Sequence, residues 1–322
     1  MDSICRNLPE SGRLACALAA LAAQVLFASP AAAANCGPIG SADNFRAHHD
    51  NYVLYNQMHN NGWAGSDEPA VRVQYSFKYS ILGCPAVAQH RSQGFGAAQA
   101  DESEVFIAYT GQFDFYMGSR PSGPVINRLS NPGIHWRLPL KTWWHDMADN
   151  TAVVLSFEHR SDGQVFEPTT GTGPEVAQRA YDQKDHAFFD TISRGSNFVG
   201  LHMQGDQVIA GKRLDLSATL RAYVTQNSDM TWGPLRDSGT RVADYDRLWL
   251  RAGHDAGNIG YWEIAWRLGD RGLRTDSLDL GWQAPATGVP LYVRLHLGPM
   301  NTLSNYTQRQ DSIGVGLRFT SF

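Results

Sequence analysis

From residue 70 onward, apolar and polar side chains alternate singly over long stretches. In residues 70–81, Val71, Val73, Tyr75, Phe77, Tyr79 and Ile81 fall on one side, and Arg72, Gln74, Ser76, Lys78 and Ser80 on the other. This is the two-residue period of a strand with one apolar face. The same period returns in residues 105–110, 134–140, 214–224, 260–268, 278–282 and 291–297. About eleven such windows can be traced, each near the nine to eleven residues that a tilted strand needs to cross a bilayer. Turn-forming runs separate them, among them Asn60-Asn61-Gly62, Gly118-Ser119-Arg120-Pro121 and Gly269-Asp270-Arg271-Gly272.

The pattern predicts an all-β chain, a transmembrane antiparallel β-barrel of about 12 strands. Arg and Lys recur opposite the apolar face, which suits a polar interior. Trp143, Trp144, Trp232, Trp262, Trp266 and Trp282 are candidates for the interfacial aromatic girdles. At the C-terminus Ile313, Val315, Leu317 and Phe319 alternate with Gly314, Gly316, Arg318 and Thr320, and the chain ends on Phe322. Such an ending resembles the closing strand of bacterial outer-membrane barrels. The rival architecture is a secreted β-sandwich, whose strands are usually shorter and whose apolar faces share one core.

Composition narrows the picture. Over 322 residues the formal charge is -4, without a basic footprint, so no nucleic-acid partner is expected. A mean hydropathy of -0.33 excludes a helical membrane bundle but not a barrel, whose strands are apolar on one face only. Residues 1–34 read as a secretory signal peptide: Arg6 and Arg13, then an apolar run over 14–27, then Ala31 to Ala34 at an A-x-A cleavage site. The division expected is therefore a signal peptide (1–34), an N-terminal periplasmic segment (35–68) and a barrel (69–322). Export leaves Cys36 and Cys84, either one disulfide or two free thiols.

Candidate chemistry lies in residues 151–161. Val153, Leu155 and Phe157 form an apolar stripe, and His159 and Ser161 continue its parity. Two polar groups would thus end a lipid-facing stripe. One reading is that the strand has left the hydrocarbon layer. The other is nucleophilic catalysis, with Ser161 attacking an ester and His159 taking its proton. Such a pair needs a third group to orient the imidazole. Asn197 begins another stripe, with Val199, Leu201 and Met203, and is a candidate; Asp185 and Asp190 are alternatives.

These segments carry a resemblance. Phe157-Glu158-His159-Arg160-Ser161-Asp162-Gly163 resembles the Glu-His-x-Ser-Asn-Gly motif of the outer membrane phospholipase A family. Ser193-Arg194-Gly195-Ser196-Asn197 is similar to that family's Ser-Arg-x-x-Asn segment. Weaker likeness extends over residues 50–55, 128–131 and 292–322. The resemblance implies a twelve-stranded barrel in the bacterial outer membrane with a Ser-His-Asn triad on its outer surface. It further implies calcium-dependent hydrolysis of glycerophospholipid acyl esters, with A1 or A2 regiochemistry, by a homodimer. Carried over by position, Ser161 is the nucleophile, His159 the base and Asn197 the orienting group. Calcium falls to the backbone carbonyl of Gln164 and to Ser193, and Ser122 is a loose candidate for a ligand given by a partner subunit.

Two departures stand out. The motif Asn is Asp162, a negative charge next to the nucleophile in sequence. The span between His159 and Asn197 also carries an insertion over 165–192, including a short helix expected within 175–189. The different-class alternative is a non-catalytic barrel, a porin or structural protein retaining the motif.

Overall fold

A computed structural model describes residues 44–59, 68–83, 103–118, 126–140, 151–162, 174–185, 188, 194–226, 240–285, 289–303 and 306–319. The proposed signal peptide, Cys36, Cys84, Trp143, Trp144 and Trp232 lie outside them. Among the described residues, thirteen strands form one antiparallel sheet: β1 (Phe45–Ala47), β2 (Asn51–His59), β3 (Pro69–Leu82), β4 (Glu104–Phe115), β5 (Ile126–Pro139), β6 (Ala152–Asp162), β7 (Arg194–Ile209), β8 (Lys212–Gln226), β9 (Leu248–Asp255), β10 (Tyr261–Gly269), β11 (Gly272–Gln283), β12 (Leu291–Leu297) and β13 (Asp311–Phe319). Each of β2 to β13 pairs with its sequence neighbour, and β13 returns to β2, with Val315 opposite Tyr55. Twelve strands therefore close on themselves, and β1 adds a short ladder to β3. Closure removes every free edge, which a spanning sheet requires. It also excludes the two-sheet sandwich.

One boundary is corrected. Asn51–His59, assigned from sequence to the periplasmic segment, is a barrel strand between β13 and β3. Its alternation is hidden because both parities are partly apolar: Tyr52, Leu54 and Met58 are buried inside, while Val53 and Tyr55 are exposed outside. Tyr52 is satisfied there by donating its hydroxyl to Gln74 Oε1 at 3.0 Å.

The radial sorting is apolar out, charged in. Exposed Tyr75, Ile107, Ile134, Phe157, Met203, Ile264, Leu280, Ile313 and Val315 form an outer apolar surface. A chain of rings runs across it: Phe45 on Phe77 at 5.0 Å, Phe77 on Tyr109 at 5.7 Å, Tyr109 on Tyr75 at 6.0 Å. Gly111 permits this, since a Cβ there would stand 2.3 Å from Tyr75 Cζ. Trp262 and Trp282 sit opposite each other on β10 and β11, centroids 6.2 Å apart, as an aromatic pair at one rim. Inside, Arg72 forks onto Asp114 with two 2.8 Å bonds and reaches Asn301 at 2.6 Å. Lys78 donates to both oxygens of Glu104. A buried charge is tolerated only when paired in this way. An apolar exterior around a charged interior is the sorting of a barrel dissolved in lipid. The chain is a multi-pass outer-membrane β-barrel.

The connection between β6 and β7 holds α1 (Pro174–Asp182), which starts one residue before the expected 175–189 region and is shorter than it. It starts on a proline, whose missing N–H costs nothing at a first turn. It stops where Lys184 turns left-handed at φ 54° and Asp185 N–H returns to the Ala180 carbonyl.

Candidate functional site

β6 and β7 pair without a break from Ala152↔Gln204 to Asp162↔Arg194, which sets His159 opposite Asn197 and Ser161 opposite Gly195. Cross-strand partners share a face, so these four lie on the outer surface with Phe157, which is 51% exposed. Register, not chain distance, thus brings together groups 38 residues apart. His159 Nδ1 and Asn197 Oδ1 are 2.9 Å apart. An amide oxygen only accepts, so Nδ1 carries the proton and Nε2 is left as the basic nitrogen.

Asn197 is itself held: its Nδ2 donates to Thr225 Oγ1 at 2.6 Å. That bond also fixes which end of the amide faces the histidine. Thr225 was not legible in the sequence. Ala222 faces out opposite Val199, and Tyr223 faces in opposite Phe198, so regular alternation would put Val224 out and Thr225 in. A bulge between Asn197 and Phe198 inserts Val224 as an extra residue and sets Thr225 opposite Asn197. Re-aiming one side chain is a usual effect of a bulge. The row His159, Asn197, Thr225 therefore crosses three strands on the lipid-facing side.

Ser161 lies between Gly195, which has no side chain, and Ser130 of β5. Ser130 Oγ donates to the Tyr109 hydroxyl at 3.1 Å, joining this edge to the outer aromatic chain. Ser161 and His159 are two apart on one face, and no hydrogen bond joins them here. Such bonds are often open in ligand-free sites and close around substrate. Ser161 is one residue from the end of β6, at the rim of the apolar stripe.

The inner face of the same strand anchors it. Glu158 accepts from Asn131 Nδ2 and Ser156 Oγ, both at 2.7 Å. Arg160 lies 2.8 Å from Asp246. Asp246, in the β8–β9 connection, also takes Arg221 Nη1 and the Tyr223 hydroxyl. Burial pushes the Asp246 carboxyl up, but Arg221, Arg160 and Arg267 together hold it well below the usual carboxylate range. Asp162 is buried on this inner face, with Arg194 as its cross-strand partner. The extra negative charge therefore stands on the other side of the sheet from Ser161.

Asp185 is engaged in its own turn, accepting from Phe188 N–H at 3.1 Å, and Asp190 lies outside the described residues. The three expected calcium positions, Gln164, Ser193 and Ser122, also lie outside them. No group of three or more His, Cys, Asp or Glu that could hold a metal occurs among the described residues. In sequence, Gln164 comes two residues after Asp162 and Ser193 immediately before Arg194. A carbonyl and a hydroxyl are hard oxygen donors of the kind calcium takes.

No family model matches this chain, and no curated protein matches it. Solved structures do. Outer membrane phospholipase A from Escherichia coli superposes with a TM-score of 0.57 at 16% identity, covering 85% of this chain and 93% of that one. The Salmonella typhi outer membrane phospholipase dimer with bound calcium gives 0.55 at 13% identity, covering 85% and 91%. At such identities the likeness is one of fold.

Proposed function

We propose that this barrel is a phospholipase that hydrolyses acyl esters of glycerophospholipids from the lipid-facing side of its wall. The observation that carries the reading is the outward-facing His159–Asn197 pair, two residues from Ser161, on a barrel whose fold matches solved phospholipases. Ser161 Oγ attacks the ester carbonyl while His159 Nε2 takes the hydroxyl proton, giving a tetrahedral oxyanion. Collapse breaks the bond to the alcohol oxygen, which leaves with the proton held by His159. Water, deprotonated by the same nitrogen, then releases the fatty acid and restores Ser161. Asn197 holds the tautomer without placing a carboxylate at the membrane surface, where an unpaired charge is costly. The Asp162 backbone N–H, adjacent to the nucleophile, is a donor for the oxyanion. Calcium, held by Gln164 carbonyl and Ser193 with Ser122 of a second copy, would supply positive charge to that oxyanion when bound. A homodimer in the membrane is part of this reading, since that third ligand comes from the second copy. A scissile ester lies at headgroup level, so a site at the rim of the apolar band meets it in place.

The test is fatty-acid release by refolded, detergent-solubilised protein, with calcium or chelator, for the natural chain and Ser161→Ala. Calcium-dependent release that falls at least about a thousandfold in the variant is expected. No release by a folded, calcium-loaded dimer would sink the proposal and leave a barrel without this activity.

A further inference from the structure

The lumen contains a group of cations whose donors the described residues leave partly unmet. A cavity of about 220 Å³ opens there, lined among others by Arg160, Arg221, Trp249 and Arg267. Most acids in its lining are engaged elsewhere. Asp50 and Glu263 pair with Arg251 and Arg318. Asp279 pairs with Arg294 and His296. Glu158 accepts from Asn131 and Ser156. Arg160, Arg221 and Arg267 are left to converge on Asp246 alone. Glu158 and Asp279 are further carboxylates near Arg221 and Arg267, but both already accept from other side chains.

Their hydrogen bonds are incomplete. Arg160 Nε and Nη2, Arg221 Nε, Arg267 Nε and the Trp249 indole Nε1 are buried and donate to nothing among the described residues. Arg160 Nη2 is close to Asp246 but not aligned to donate to it. The Arg160 side chain is 9% exposed. Arg221 and Arg267 stand 5.5 and 4.9 Å from the Trp249 ring centre, so two of the three guanidinium groups lie against one indole. Buried donors of this kind are costly when left unmet. Guanidinium forks match the tetrahedral oxygens of phosphate, and an indole N–H adds a neutral donor. The cavity far exceeds the roughly 10–15 Å³ that one water needs.

We propose that the lumen binds a small phosphate-class oxyanion between Arg160, Arg221, Arg267 and the Trp249 indole N–H. The site is separate from the outer-surface chemistry, although Arg160 lies on β6 between His159 and Ser161. The experiment titrates inorganic phosphate into the refolded, detergent-solubilised full chain at constant ionic strength in chloride. Heat of binding and the unfolding midpoint are followed. Saturable binding and a raised midpoint are expected, with affinity reduced at least tenfold in Arg267→Gln and severalfold in Trp249→Phe. Trp249→Phe keeps the ring and covers the case in which the arginine variant fails to fold, judged by heat-modifiable gel mobility. Ser161→Ala should bind as the natural chain does, which separates this site from the proposed esterase. Glycerol phosphate should compete, whereas phospholipid micelles should not. No saturable phosphate binding, equal affinity in both folded variants, or displacement by phospholipid alone would overturn the proposal.

Discussion

Asn197 faces two ways, accepting from the His159 ring and donating to Thr225. The second bond gives Thr225 a role in the proposed reaction as a positioning residue, since it touches only the amide. One hydrogen bond contributes about 1 kcal/mol, close to fivefold in rate. Thr225→Val should therefore lower kcat by about that factor with little change in KM, and Thr225→Ser should restore most of it. A drop confined to KM, or no rescue by serine, would show that Thr225 only packs. Asp162 illustrates a different residue-scale point. Next to Ser161 in sequence, it is on the opposite face of the sheet, because successive strand residues point to opposite sides.

At the scale of the element, the bulge in β8 decides which side chain meets Asn197. Deleting Val224 would leave Thr225 directly after inward-facing Tyr223, hence outward in a regular strand. Such a deletion variant is expected to keep hydrolysis within a few-fold of the natural chain, at about 1 kcal/mol or less. Loss of activity with a correctly folded barrel would mean that the bulge has a part beyond presenting Thr225. The long connection containing α1 is tolerated for a related reason. β6 and β7 are locked by eleven consecutive cross-strand pairs, so the 38-residue separation of His159 and Asn197 adds only modest closure entropy.

The molecule as a whole is organised by its inverted sorting, and the acid limit of its stability follows from what is inside. His48, between β1 and β2, packs beside His49, His135 and Phe106, with ring centroids 4.1, 4.8 and 5.5 Å away. Burial, followed by the fields of His49, His135, Lys78 and His202, holds its imidazole well below the ordinary 6.5. The native barrel leaves His48 neutral, while the unfolded chain protonates it near the ordinary value. Its contribution is therefore complete above about pH 6.5 and is lost as pH falls below that, through the depressed native value. Unfolding midpoints of refolded protein at pH 7.5 and 5.5 should differ more for the natural chain than for His48→Gln. Equal pH dependence in both would remove His48 from the acid response.

Much of this molecule was legible in its sequence, because the signal is periodic. Single alternation over strand-length windows leads to an all-β chain with apolar and charged faces, and the strands β3, β8, β10, β12 and β13 fall where that alternation runs. His159 and Ser161 were legible together because their parity on one strand already makes them neighbours. β2 was not, since Tyr52, Leu54 and Met58 make its inward parity apolar as well. Only the tertiary structure settled the rest. Closure of β13 on β2, the register that sets Asn197 beside His159, and the bulge that turns Thr225 outward all depend on pairing between strands distant in the chain. Arg160, Arg221 and Arg267 converge on one aspartate only when the sheet curves into a barrel. Alternation assigns a residue to a face, whereas the partner it meets there is set by long-range pairing.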